Sequence, residues 1–218
     1  MQRIPEPELM TDEDQASAYA NADFEEPHNH FIQLLKESIG NQLPDSGMAM
    51  DLGCGAADMS IRFAKAYPEY QIDALDGAEA MLAEGVKAVA RTNLVERINF
   101  INAYLQDTSL SSQRYELIFS NSLLHHLHDP MVLWHAIKNA KGKPVIFIMD
   151  LMRPDNDDQV NNMVNEYASG EPKVLQRDFY NSLKAAFSPD EVRAQLSEAG
   201  LEGFKVSIVS DRHLVVSS

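Results

Sequence analysis

Met48-Ala49-Met50-Asp51-Leu52-Gly53-Cys54-Gly55-Ala56-Ala57 is the stretch that decides the fold of this chain. Its first half, a short apolar run ending at an acid, predicts a buried strand, and its second half predicts a tight turn into an amphipathic helix over residues 59–66. Gly53 and Gly55 allow the backbone to turn sharply and a ligand to approach it, while the helix start behind them offers unpaired N–H groups. The alternation then repeats. Residues 70–75, 98–101, 115–120 and 143–151 predict strands, and residues 78–90 and 131–139 predict helices between them. Strands separated by helices cross over onto a parallel sheet. The run Val145-Ile146-Phe147-Ile148-Met149 is the most apolar in the chain and predicts a central strand covered on both faces.

Working outward, residues 30–39 predict an amphipathic helix ahead of the first strand, closed by the turn Pro44-Asp45-Ser46-Gly47. Beyond the apolar strand the polar loop Arg153-Pro154-Asp155-Asn156-Asp157-Asp158 opens a helical insertion at about 152–187. Ser188-Pro189-Asp190-Glu191 is a helix start, with Ser as the cap, Pro in the first turn and acids beside the helix dipole. Two final apolar runs, 204–209 and 212–216, are joined so tightly that they must run antiparallel. The chain thus divides into an acidic leader, 1–30, and one α/β domain, 31–218, carrying the insertion.

The charge balance excludes classes of partner. Eighteen Lys and Arg against 33 Asp and Glu leave 218 residues at a formal −15. Binding to a nucleic-acid backbone or an anionic membrane surface relies on basic patches, so neither partner is expected. Eight of the acids, against Arg3 alone, lie in residues 1–30, and with Pro5 and Pro7 there the first dozen positions read as loosely attached. The single cysteine, Cys54, allows neither an intramolecular disulfide nor a multi-thiolate metal site. With no apolar stretch approaching membrane-spanning length, a cytoplasmic location is expected; oligomeric state has no signature in the sequence.

A Gly-x-Gly turn alone is a weak signal, and the third glycine of the dinucleotide fingerprint is replaced by Asp58. Asp76, 25 residues beyond Asp51 at the end of the second strand, strengthens it, because an acid there accepts hydrogen bonds from ribose hydroxyls. With Asp51-x-Gly53-x-Gly55 and Asp76 in register, the chain resembles class I S-adenosylmethionine-dependent methyltransferases over roughly residues 48–151. The resemblance implies a Rossmann-like, seven-stranded, mostly parallel sheet with a C-terminal antiparallel hairpin and helices on both faces. It also implies that Gly53, Cys54 and Gly55 pass under the methionine end of the cofactor, that Asp76 holds the ribose, and that Gly77 and Met81 lie near the adenine. Many relatives carry Gly-Asp after the third strand. Here Asn102-Ala103-Tyr104 stands instead, implying that backbone groups of Ala103 and Tyr104 hold the adenine. The stretch Ile118-Phe119-Ser120-Asn121-Ser122-Leu123-Leu124-His125-His126-Leu127 is similar to that of small-molecule methyltransferases of quinone and sterol pathways, with Asn121 and Ser122 beside the cofactor. It lacks the Asn-Pro-Pro-Tyr type of segment that base and amide methylases use.

Methyl transfer is an in-line displacement at carbon, so alignment and exclusion of water dominate, and Asp51 supplies negative charge near a sulfonium. His125 is the candidate general base, needed only if the acceptor must lose a proton, with His126 beside it as a substrate contact. A metal cluster of His125, His126, His128 and Asp129 is not expected, since adjacent histidines on a strand-to-loop segment converge poorly. Tyr19 in the leader, Arg153, Arg177 and Tyr180 in the insertion, and Arg212 at the hairpin are candidate substrate contacts. The three arginines favour a small anionic or zwitterionic acceptor. Two other classes stay open at this point. A nicotinamide oxidoreductase would want the missing glycine and a hydride-site pair, and a non-catalytic cofactor-binding relative would carry the same cofactor motifs.

Overall fold

A computed structural model describes residues 1–107 and 112–218. The leader contains α1 (Glu13–Ala20), and α2 (Glu25–Ile39) leads into the sheet. Then come β1 (Gly47–Leu52), α3 (Asp58–Ala66), β2 (Tyr70–Asp76), α4 (Glu79–Ala90), β3 (Ile98–Asn102), β4 (Leu117–Asn121), α5 (Met131–Lys138) and β5 (Val145–Leu151). The insertion is α6 (Asp157–Tyr167) and α7 (Lys173–Ala185); α8 (Pro189–Ala199), β6 (Lys205–Ile208) and β7 (His213–Ser217) close the chain. One sheet has the order β3-β2-β1-β4-β5-β7-β6, its pairs all parallel except the two that β7 makes, with β5 and with β6. This is the Rossmann-like architecture expected, terminal hairpin included.

Strand alternation builds both faces. Ala49, Ile72, Leu117, Phe119, Phe147 and Met149 point to one side, where Phe31 and Leu35 of α2 and Phe63 of α3 cover them. Met50, Leu52, Ile118, Ile146 and Ile148 point to the other, against Trp134 of α5 and Leu196 of α8. A period of two also decides where two buried acids go. Asp51 shares the face of Ala49, and Asp150 shares the face of Ile146 and Ile148, so the two carboxylates lie on opposite sides of the sheet. Strand order reverses between β1 and β4, and at such a switch point an α/β sheet opens a crevice at the carboxyl ends of its strands.

The leader departs from expectation, because its first residues are bonded into the domain. Ile4 N–H donates to the Lys184 carbonyl, and the Arg3 guanidinium donates to the carbonyls of Ala185, His125 and Leu127. Charge composition misled here because each polar group finds a specific partner in the insertion or in the turn after β4. The α8 cap is as predicted, with Ser188 and Glu191 forming a reciprocal capping box. Phe119 is fully buried, its ring 5.0 Å from Phe63 and 6.2 Å from Phe31. Phe119→Ala should cost about 3–5 kcal/mol and Ser188→Ala about 1 kcal/mol in denaturant unfolding. Equal losses would contradict this ranking of core over cap.

Candidate active site

The turn after β1 is built from left-handed backbone. Gly53 (φ 70°), Gly55 (φ 53°) and the non-glycine Ala57 (φ 66°) carry the chain from the strand into α3. Gly53 also has no room for a side chain, since a Cβ would come within 2.9 Å of Leu123. The N–H groups of Gly53 and Cys54 both donate to the Leu75 carbonyl, and Gly55 N–H donates to Asp76 Oδ2 at 2.8 Å. Asp76 Oδ1 accepts from Ala78 N–H. Each oxygen keeps acceptor capacity, as a carboxylate offers about four lone-pair sites. Burial raises the Asp76 pKa, against the pull of its backbone donors.

Around this turn the structure gathers most of the expected cofactor residues. Met81 is buried, with its terminal methyl beside Gly55. Tyr104 lies next to Gly77, Ala103 N–H donates to the Asp76 carbonyl, and Asn102 Nδ2 reaches that carbonyl at 3.4 Å. Asn121 ends β4, and Ser122 (φ 60°) turns the chain while its N–H donates to Met149. Asp51 is only 1 % exposed and accepts from Ser60 Oγ at 2.6 Å, with burial pushing its pKa up to about 7. Cys54 is buried, and its thiol pKa is pushed well up by that burial and by Asp51 and Asp76. A thiol so held is a packing group rather than a nucleophile.

The leader lies across this turn. Leu9, Met10 and Tyr19 pack with Ala16 against Ala56, Ala78 and Met81. Burial pushes the Tyr19 hydroxyl up to about 12, helped by Asp58 and Asp76 nearby. Asp58, at the position of the missing third glycine, is held by His28 at 2.5 Å and Arg62 at 2.7 Å.

A second centre stands on the opposite face, at the ends of β4 and β5. His125, 2 % exposed in a 3-10 turn (Leu124–His126), bonds through Nδ1 to Asp150 Oδ1 at 2.5 Å, while Asp150 Oδ2 accepts Leu124 N–H. Burial disfavours the His125 imidazolium, but Asp150 and Glu6 outweigh it and the pKa rises; Asp150, buried yet paired, is held below the usual carboxylate range. His126 stacks on His125 with ring centroids 4.2 Å apart, and burial and that neighbour push it down to about 3. The expectation that adjacent histidines would not converge is thus overturned, because the tight turn folds one ring onto the other.

The arginines do not join either centre as free cations. Arg153 bonds to Glu191 and the Ala186 carbonyl, Arg177 is exposed and pairs with Asp178, and Arg212 pairs with Asp211 and covers the Tyr167 ring. Tyr180 packs within the insertion and accepts from Lys184. Each cation is neutralised by an acid close in sequence or in space, so the grounds for an anionic acceptor fall away. Glu6, Asp150 and Arg3 are functional candidates that sequence reasoning missed. Glu6 and Arg3 were hidden in the leader's bulk charge, whereas Asp150 had a readable signal, an acid inside the most apolar run of the chain.

Comparison with known proteins agrees with this geometry. Residues 49–141 match a family model described as a methyltransferase domain. No curated protein sequence matches the chain. Among solved structures, a putative S-adenosyl-L-methionine-dependent methyltransferase from Methanococcus maripaludis is 18% identical with a TM-score of 0.71, covering 99% of this chain and 96% of its own. The plantazolicin methyltransferase BpumL, solved with a pentazolic desmethyl analogue and SAH, is 15% identical with a TM-score of 0.71, covering 94% of this chain and 90% of its own. A SAM-dependent methyltransferase from Aquifex aeolicus is 16% identical with a TM-score of 0.63, covering 95% of this chain and 98% of its own. Residues 49–141 are thus similar to a methyltransferase domain, and the sheet is of the Rossmann-like kind that these solved structures share. The matched stretch runs from β1 to just beyond α5, and the leader and the insertion lie outside it.

The buried Asp51 gives a pH test. Its pKa, about 7 in the fold against 3.8 for an ordinary aspartate, means that the native state holds a proton the unfolded chain has lost between those values. Stability attributable to Asp51 therefore falls as pH rises through that window, by up to about 1.4 kcal/mol per pH unit. Asp51→Asn should remove this slope, so its melting temperature gains on the parent between pH 5 and 7. Parallel curves would show that Asp51 is ionised throughout.

Proposed function

We propose that this protein transfers a methyl group from S-adenosylmethionine to a small-molecule acceptor. The observation that carries the reading is the Gly53–Gly55 turn braced by Asp76 at the switch point of the sheet. The pyrophosphate of a nicotinamide cofactor favours a third glycine and a free helix N-terminus. Asp58 occupies that place with its charge committed to His28 and Arg62. Asp76 and the backbone around Gly77, Ala103 and Tyr104 would take the nucleoside, and Gly53, Cys54 and Gly55 the methionine end. Asn121 and Ser122 would close the cofactor side from β4. The cofactor supplies an electrophilic methyl group when bound.

The protein's own part is alignment and exclusion of water. Leader residues Leu9, Met10 and Tyr19 sit over the glycine turn, which supports a lid role for residues 1–30. The insertion, α6 and α7, is tied to the leader through Gln15 with Asp178 and Glu6 with Ser182, and we assign it the acceptor's wall. His125 belongs to the acceptor side, its ring orientation set by Asp150. No helix among the described residues is long and apolar enough to cross a membrane, and the lone cysteine supports a cytoplasmic setting.

S-adenosylmethionine at 100 times its dissociation constant should stabilise the native state by about 2.7 kcal/mol, read as a raised melting temperature. NADH should leave it unchanged. Asp76→Ala should weaken cofactor binding at least about tenfold by calorimetry, since charge-assisted hydrogen bonds contribute about 1.5–3 kcal/mol each. Stabilisation by NADH alone, or undiminished affinity in Asp76→Ala, would overturn the cofactor assignment.

A further inference from the structure

Glu6, His125 and His126 meet in an arrangement that methyl transfer does not require. Glu6 Oε1 lies 3.6 Å from His125 Nε2 and 3.2 Å from His126 Nδ1, and all three atoms lie within 4.8 Å of one another. The same oxygen accepts Ser182 Oγ–H at 2.9 Å. His125 has its Nδ1 bonded to Asp150, so Nε2 is the nitrogen that faces Glu6. Among the described residues the buried His126 Nδ1 has no hydrogen-bond partner, although Glu6 Oε1 lies 3.2 Å away, and the Pro7 backbone is also within reach of the ring. Two imidazole nitrogens and a carboxylate oxygen thus converge on one point.

We propose that Glu6 Oε1, His125 Nε2 and His126 Nδ1 form a binding site for one divalent transition-metal ion, stapling the leader to the carboxyl ends of β4 and β5. Ligand bonds of about 2.0–2.2 Å in a tetrahedron set neighbouring ligand atoms about 3.4 Å apart, and the measured 3.2 and 3.6 Å bracket that edge. The carboxylate behind His125 is the outer partner that metal-bound histidines regularly have. Two imidazoles and one carboxylate suit zinc, cobalt or nickel rather than magnesium or calcium, which prefer all-oxygen sets. Three protein ligands leave a fourth position open. The ligands come from segments far apart in the chain, so the ion would order the leader over the domain, independently of whether the cofactor reading holds.

The test titrates the metal-stripped full-length chain with Co2+ alone, followed by visible absorption, and then displaces it with Zn2+, with no S-adenosylmethionine present. One equivalent should bind with the intense bands of a low-coordinate nitrogen–oxygen site. Glu6→Gln and His126→Ala should each weaken affinity by about 100-fold or more and Asp150→Asn by about tenfold, as partners outside the coordination sphere alone are worth about 10- to 100-fold. His128→Ala, whose ring bonds the Glu6 backbone carbonyl but offers no ligand to the site, should weaken uptake less than Glu6→Gln does. As a readout free of absorption, Zn2+ should slow hydrogen exchange at the Ile4 N–H, which is bonded to Lys184. Should His126→Ala fail to fold, Glu6→Gln decides alone, since Glu6 lies in the leader. No uptake at micromolar Co2+, or uptake undiminished in Glu6→Gln, would overturn the site.

Discussion

The chain must leave a buried strand and enter a helix within five residues, and it does so only by putting Gly53, Gly55 and Ala57 in left-handed backbone. That constraint organises everything around it. The turn needs an acceptor for the N–H groups it exposes, which the Leu75 carbonyl and Asp76 provide. Bare backbone at Gly53 lets Leu123 pack directly against it, which fixes how the segment after β4 leaves the sheet. Two residues later that segment places His125 on Asp150. A side chain at Gly53 would push on Leu123 and so disturb both centres at once.

The two centres use the sheet's two faces, and a buried acid at each end-of-strand position marks them. Asp51 is solitary apart from Ser60, so burial drives its pKa up; Asp150 is equally buried but paired with His125, and its pKa falls. Partnering, not depth, decides the sign. The leader joins the two sides. Its first residues hold the turn after β4, and its helix lies on the glycine turn, so one segment spans the glycine turn and the His125 centre. This continuity is the physical basis for treating it as a lid.

The fold and the geometry of the turn around Gly53 and Asp76 were legible in the sequence because both depend on local chemistry. A strand ending at Asp51, glycines where φ is positive, and an acid at the end of the next strand are written consecutively, as are the Ser188 cap and the closing hairpin. The His125 centre was less legible. Glu6 meets His125 and His126 across more than a hundred residues, and no local pattern encodes that pairing. Arg177 and Arg212 pair with the acids beside them in sequence, Asp178 and Asp211, whereas the pairing of Arg153 with Glu191 is visible only in the fold. Strand β4 begins at Leu117, not Tyr115, because pairing with Ala49 and Val145 starts there while the Tyr115 hydroxyl turns to Asp73.

The central claim is that a small molecule receives the methyl group. Its most direct measurement is incubation of the protein with methyl-labelled S-adenosylmethionine and a fractionated metabolite extract, followed by mass spectrometry of what becomes labelled. One low-molecular-weight species should gain a single labelled methyl group in a protein-dependent manner, as the cofactor is consumed in equal amount. Label confined to protein or nucleic-acid fractions, or cofactor bound and never consumed, would contradict the account.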